Sequence, residues 1–293
     1  MKSGTSIRDW FLLLLLALIW GSSFILMKRG LAEYLPSQVA AIRMFAAFVC
    51  LSPFVITSVT KVRVSDWKYL ASSAVFGNGI PALLFSVAQT KISSSVAGIL
   101  NSLTPLFTMI IAFLFFKNKI LPIHFFGILI GFAGAVIILL FRSNGSFEGN
   151  YSYSLLIVAA TIGYAFSINI IKNYLKDMRP LHISGFAVSI AGIPYGIYLF
   201  STDFITRLQS SHAAVISLGY VLILSIGGTA ISLVLFNRLI KTSSVLFASS
   251  VTYMIPVVAL IWGFSDSEKL GIMNLIGLCA ILAGVYLVNR KPA

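Results

Sequence analysis

The sequence predicts an all-α integral membrane protein of ten transmembrane helices, arranged as an inverted repeat of five plus five. Three observations carry that expectation. The composition is 58% hydrophobic and 10% charged, whereas a soluble domain carries about 25% charged residues. Ten continuous apolar runs each approach the roughly 20 residues that a helix needs to cross a bilayer. The chain also repeats itself: Phe126-Gly127, Gly131 and Gly134 are answered by Ile276-Gly277, Ile281 and Gly284, 150 residues later. Further upstream, Ser94, Ser95 and Thr104-Pro105 correspond to Ser243, Ser244 and Ile255-Pro256, with a one-residue slip. The repeat divides the chain into residues 1–146 and 147–293.

The runs follow in order. Trp10–Met27 comes after Lys2 and Arg8, as a signal peptide would, but no small-residue cleavage site closes it. It reads as an uncleaved first span. Val39–Thr57 holds Arg43, and Leu70–Ala88 holds Gly77-Asn78-Gly79 and Pro81, a stretch able to break a helix locally. Val96–Phe116 carries Asn101 and Thr104-Pro105, and Phe125–Phe141 carries the glycine run. In the second set, Ser154–Ile171 holds Tyr164 and Asn169, Ile183–Phe200 is almost wholly apolar, and Ala213–Phe236 holds Thr229. Val245–Phe264 holds Tyr253 and Ile255-Pro256, and Leu270–Val288 holds Gly277 and Gly284. Lipid offers backbone groups no water, so only helices or closed barrels survive there. A barrel shows short alternating segments, and these runs are continuous. The longest connections, Arg142–Tyr153 and Thr202–His212, read as loops too short for a soluble domain. Cys50 and Cys279 sit in apolar runs and read as small buried residues.

Charge sets the orientation. With the N-terminus inside, 14 of the 21 Lys and Arg residues fall on cytoplasmic segments. Lys28, Arg29, Lys91, Arg142, Arg207 and Lys269 fall outside, and Arg43 lies within a span. The positive-inside rule then places both termini in the cytoplasm. The net charge of +13 is therefore an inner-face surplus facing anionic lipid, and no nucleic-acid partner is needed to explain it. Five spans per half is an odd number, so the second half enters the membrane upside down. Basic Lys117-Asn118-Lys119 before the fifth span and acidic Asp266 to Glu268 before the tenth occupy one repeat position on opposite faces.

Several elements resemble the drug/metabolite transporter superfamily and, within it, the EamA-type ten-span exporters. Trp20-Gly21 is similar to that family's first-span pair, and Arg43 in Ala40-Ala41-Ile42-Arg43 to its second-span arginine. Thr104-Pro105 and Ile255-Pro256 match the prolines of the fourth and ninth spans, and Glu268-Lys269-Leu270 resembles the element ahead of the last Gly-rich span. The resemblance covers essentially the whole chain. One departure is plain: Asn118 stands where the pattern expects the first-half glutamate, and Trp20-Gly21 has no repeat in the second half, where Ile162-Gly163 stands. The resemblance implies an inner-membrane carrier of the bacterial type. It would export amino acids, related metabolites or drugs by alternating access around a central cavity.

Polar groups at mid-span depth face partners or a wet cavity, because hydrocarbon leaves them unsatisfied. The candidates to contact a solute are Trp20, Arg43, Asn78, Asn101, Tyr164, Asn169, Thr229 and Tyr253, with Ser22, Ser23, Gln89 and Ser102 behind them. Each has a structural alternative. Trp20 packs between helices, Gly77 and Gly79 permit close packing, the Asn101 amide caps a carbonyl freed by Pro105, and hydroxyls bond back to their own helix. Arg43 has three readings: snorkelling to the near interface, pairing with Glu33, or binding an acidic group of the solute. The glycine runs read as small-residue packing faces, and nothing in them indicates a dimer.

Absences narrow the chemistry. No Asp or Glu lies in any of the ten runs, so a buried carboxylate proton relay and a counter-charge for cationic drugs are both missing. His124, His182 and His212 fall at loop ends. No Gly-rich phosphate loop and no His/Cys cluster is present, so no cofactor, metal or ATP site is expected, and no enzyme constellation is visible. The sequence therefore points to a carrier of small organic metabolites, with amino acids and related zwitterions ahead of hydrophobic drugs.

Overall fold

The computed structural model describes residues 6–59, 62–117, 121–140, 151–242, 251–268 and 271–289. The sequence markers Lys2, Lys61, Asn118, Lys119, Arg142, Glu148, Ser243, Ser244, Lys269, Leu270, Arg290 and Lys291 lie outside them. All regular structure among the described residues is helical. The elements are α1 (Ile7–Gly30), α2 (Pro36–Ile56), α3 (Trp67–Ala74), α4 (Ile80–Ala88), α5 (Ser94–Asn101), α6 (Thr104–Phe116) and α7 (Pro122–Leu140). They continue as α8 (Tyr151–Tyr174), α9 (Pro180–Ser201), α10 (Phe204–Ser210), α11 (His212–Ser225), α12 (Ser232–Thr242), α13 (Val251–Ser265) and α14 (Ile272–Asn289).

Seven helical stretches are long and apolar enough to cross a bilayer, and they coincide with seven of the expected runs: the first four, the sixth, the seventh and the eighth. Shorter apolar helices, Pro122–Ile138, Val251–Ser265 and Ile272–Val288, stand at the other three. Large apolar side chains such as Phe11, Leu114, Ile197, Phe264 and Ile272 cover the exterior. An apolar exterior of this kind fits a hydrocarbon surround. Both cysteines depart from the expected burial. Cys50 is half-buried and Cys279 exposed, which costs nothing where the outside is lipid.

Local chemistry explains the helix boundaries. Ser6 caps α1 and Asp9 reaches back to the Ser6 backbone, a reciprocal capping box. The fourth run divides into α5 and α6. Pro105 has no N–H for the Asn101 carbonyl, and Thr104 Oγ1 donates to that carbonyl instead (2.8 Å). The expected cap by the Asn101 amide is therefore replaced by a neighbouring hydroxyl. The connection Thr202–His212, expected as a loop, contains α10. An Asp203–Arg207 ion pair (2.7 Å) braces it, and Phe204 packs on the Tyr34 ring (5.8 Å).

The third and eighth runs each widen into a π-helical turn, Val75–Gly79 between α3 and α4 and Ile226–Ile231 between α11 and α12. A π-turn inserts one extra residue and frees backbone carbonyls. The two lie at the same repeat position, since Gly77 and Gly227 are 150 residues apart. Lys117 and Ser267, also 150 apart, are the non-glycine residues with positive φ (56° and 57°) among those described.

Two helix pairs form the close seams. In the first, α7 meets α14. A Cβ on Gly127 would lie 2.8 Å from the Gly284 carbonyl oxygen, and one on Gly134 2.6 Å from that of Gly277. As residue numbers rise in α7 they fall in α14, so the pair runs antiparallel, and the glycine stripe allows the backbones to touch. In the second, α2 meets α9, with Gly192 against Phe48 and Gly185 against Val55, again antiparallel.

Candidate functional site

Arg43 lies seven residues past the start of α2, about 10 Å along it at 1.5 Å per residue. The Ser225 hydroxyl donates to the Arg43 carbonyl (2.6 Å). Arg43 Nε donates to Thr229 Oγ1 (3.0 Å). Nearer the helix starts, Tyr34 Oη donates to the Ala214 carbonyl (2.9 Å). These contacts make α2 and α11 parallel, with Thr229 one turn further along than the residue beside Arg43's own backbone. The guanidinium therefore reaches toward the middle of α2. Glu33 lies at the opposite end, away from the Thr229 contact. Among the described residues, no carboxylate lies within ion-pair distance of Arg43.

The wide turn before α12 presents the rest of the site. Its Gly228 carbonyl accepts from Trp20 Nε1 (3.1 Å) and from the Ser232 hydroxyl (2.6 Å). The indole also donates to Ser232 Oγ (2.9 Å) and lies against the Phe236 ring. Gly228 has to lack a side chain, because a Cβ there would meet Ser23 Oγ at 2.7 Å. Tyr164 on α8 sets its hydroxyl beside the Arg43 guanidinium and stacks its ring on Phe85 (6.0 Å). Arg43, Tyr164 and Thr229 thus come together from three helical segments, with Trp20 anchored one residue away on Gly228.

The other candidates stand apart. Asn78 Nδ2 reaches back from the first π-turn to the Ser73 carbonyl in α3 (3.3 Å), and the helical stretch runs on through the turn. Asn169, 1% exposed, donates to the carbonyls of Thr108 and Ala165, so its amide ties α8 to α6. Asn101 and Tyr253 flank the contact in which Ser102 Oγ donates to the Thr252 carbonyl (3.3 Å). Of the secondary candidates, Ser22 accepts from Trp262 Nε1, Ser23 bonds back to Ile19, and Gln89 donates to the Phe24 carbonyl. Two surface clefts, one beside Phe11 and Arg238 and one beside Val75 and Tyr195, include none of the Arg43 cluster.

Sequence reasoning passed over Ser225 and Ser232. The available signal was their spacing of three or four residues from Thr229 around Gly227-Gly228. It also missed what Glu268 does. That side chain, 4% exposed, accepts from Lys28 Nζ (2.8 Å) and the Ser94 N–H (2.9 Å) on one oxygen. Its other oxygen accepts from the Ser95 N–H (3.0 Å) and hydroxyl (2.7 Å). Asp266 pairs with Lys28 and Arg29 beside it. The carboxylate thus caps the N-terminus of α5 and clasps it to the end of α1. Burial by itself would raise the Glu268 carboxyl, but the hydrogen bonds from Lys28, Ser95 and Ser94 together outweigh it and hold it below its ordinary value.

A multi-pass helical chain whose polar side chains converge at mid-span has the architecture of a membrane transporter. The chain belongs to the EamA-like transporter family, whose sequence profile matches residues 9–140 and again residues 152–290. It is 26% identical to an uncharacterized transporter of Archaeoglobus fulgidus, over 97% of this chain and 99% of that one. It is 27% identical to the uncharacterized inner membrane transporter YedA of Escherichia coli (strain K12), over 94% of this chain and 88% of YedA. A solved crystal structure shares the fold, with a TM-score of 0.65 at 17% identity, covering 97% of this chain and 96% of the other.

Proposed function

We propose that this protein is a carrier of the bacterial inner membrane that exports small organic metabolites by alternating access. Its two units, residues 1–146 and 147–293, form an inverted repeat of ten spans. The antiparallel packing of equivalent helices carries this reading. In a repeat of unchanged orientation, α2 would run parallel to its equivalent α9, and α7 to α14. Inversion makes both pairs antiparallel, as their glycine contacts have them. The Ser102–Thr252 contact joins nearly equivalent residues, one position off the Pro105–Pro256 register, as expected near a two-fold axis. The family profile's two matches support the same division. Rocking of the two units about that axis exposes the site to each side in turn. The excess of Lys and Arg on one set of loops supports cytoplasmic termini.

The solute contacts are drawn from Trp20, Arg43, Tyr164 and Thr229, with Asn78, Asn101, Asn169 and Tyr253 on neighbouring span positions. A guanidinium at mid-span suits carboxylate-bearing solutes, of which amino acids and related zwitterions are the leading members. A broad hydrophobic-drug exporter is the second reading, favoured by the Trp20, Tyr164 and Tyr253 rings. The first two rings are engaged by Phe236 and Phe85, and no acid stands ready for a cationic drug. Counterflow in proteoliposomes with a metabolite panel tests the carrier reading. Protein-dependent exchange absent from a heat-denatured control is the expected result, and no exchange of any solute overturns it. Resistance of cells to toxic amino-acid analogues, but not to cationic dyes, separates the two substrate classes.

A further inference from the structure

The Arg43 site has a charge balance that narrows the solute, given the carrier reading above. Arg43 is the one Lys or Arg the positive-inside count leaves within a span, and no acidic residue occurs anywhere from 67 to 147 or from 204 to 265. The eight acids of the chain fall outside the apolar runs: Asp9 in the first turn of α1, Glu33 between α1 and α2, Asp66 just before α3, Asp177 between α8 and α9, Asp203 at the start of α10, and Asp266 and Glu268 in the clasp with Lys28 and Arg29, with Glu148 outside the described residues. The neighbours of Arg43 are neutral. Thr229 takes Nε, and the Tyr164 hydroxyl lies beside the guanidinium. No Arg43 nitrogen is among the buried polar atoms left without a partner, so its terminal N–H groups either meet Tyr164 or open onto accessible space. A guanidinium fork that keeps donors free is shaped for an oxyanion.

We propose that the transported solute is an organic monoanion whose carboxylate pairs with Arg43, and that its export is electrogenic, drawn outward by the interior-negative membrane potential. A zwitterion satisfies Arg43 but brings an ammonium into spans that hold no counter-charge for it. A monoanion leaves the loaded site neutral. Within the carboxylate-bearing class proposed above, this puts monoanions, such as 2-oxo acids or amino acids with a blocked amine, ahead of the zwitterions. It also accounts for the missing proton relay: each cycle moves one negative charge out, so the potential alone drives export and no coupled proton is required.

The test uses purified full-length protein in liposomes loaded with a defined panel of metabolites of net charge from about −2 to +1. Efflux is followed by mass spectrometry, with potassium gradients and valinomycin setting the potential. The expected result is protein-dependent loss of monoanions. An interior-negative potential from a tenfold potassium gradient speeds that loss, up to about tenfold in the final ratio, and an interior-positive one slows it. Arg43→Gln abolishes the loss and Arg43→Lys keeps part of it. If zwitterions, neutral solutes or cations leave while monoanions stay, or if monoanion efflux ignores the potential, the inference is overturned and the carrier reading stands. If no solute leaves, the carrier reading itself fails. The potential dependence is measured on the unmodified protein, so a variant that misfolds leaves the decision intact.

Discussion

At the scale of single residues, the polar groups divide into those whose hydrogen-bonding capacity is used up within the fold and those that keep some. Asn169 spends its amide on two carbonyls, and Trp20 spends its indole on Gly228 and Ser232, whereas Arg43 binds the protein through Nε and neutral neighbours. In the proposed site Thr229 is expected to position Arg43 through its Oγ1 as well as line the path. Thr229→Val removes one hydrogen bond worth about 1 kcal/mol. It raises the KM for efflux several-fold while the protein keeps its melting temperature within a few degrees. An unchanged KM contradicts the assignment. Arg43 was legible as the lone charge of its run. Ser225 was not, because its partner is the Arg43 backbone, and a contact between residues 182 positions apart leaves no mark in local sequence.

At the scale of elements, the glycines do mechanical work. Gly134→Leu drives a side chain into the α14 backbone at Gly277, where a Cβ alone would already lie 2.6 Å from the carbonyl oxygen. The expected loss exceeds the roughly 1–3 kcal/mol of ordinary overpacking, because backbone has to move. It reads out as little folded protein recovered from the membrane, while Gly219→Leu, a position with open space around it, is recovered normally.

The clasp at Glu268 makes a second prediction. Its carboxyl is held below its ordinary value of 4.5, so its contribution to stability is fully present above that pH. The contribution is lost as pH falls through the lowered folded value. Glu268→Ala costs about 1–3 kcal/mol, because the Ser94 and Ser95 N–H groups lose their acceptor while Lys28, partly exposed, keeps Asp266. The melting temperature of the wild type then falls on acidification below pH 4.5 more steeply than that of the variant, and equal slopes contradict the clasp. The sequence marked Glu268 by its place ahead of a Gly-rich span, but α5 and Lys28 reach it only in the folded chain. The proline motif was half legible. Pro105 opens a new helix at α6, whereas its counterpart Pro256 lies inside α13; a hydroxyl donates to the freed carbonyl in each case, Thr104 to Asn101 and Ser102 to Thr252.

At the scale of the whole molecule, the repeat is written in backbone geometry as well as in sequence. The π-turns at Gly77 and Gly227 and the left-handed residues Lys117 and Ser267 all fall at the 150-residue offset. The glycine run made the offset visible beforehand. The π-turns were only half visible, since Gly77-Asn78-Gly79 marked the first while Gly227-Gly228 drew no attention. Short α10 escaped altogether, because its seven residues are polar on one side and depend on Phe204 meeting Tyr34.

The proposed inversion, the central claim, is testable at one pair of positions. Lys117 and Ser267 are exposed, equivalent and alike in backbone conformation. Single cysteines at these two sites, with Cys50 and Cys279 replaced, are treated in intact cells with a membrane-impermeant thiol reagent. The inverted arrangement predicts that Ser267→Cys labels from outside and Lys117→Cys labels only once the membrane is opened. Labelling of both from the same side would contradict it.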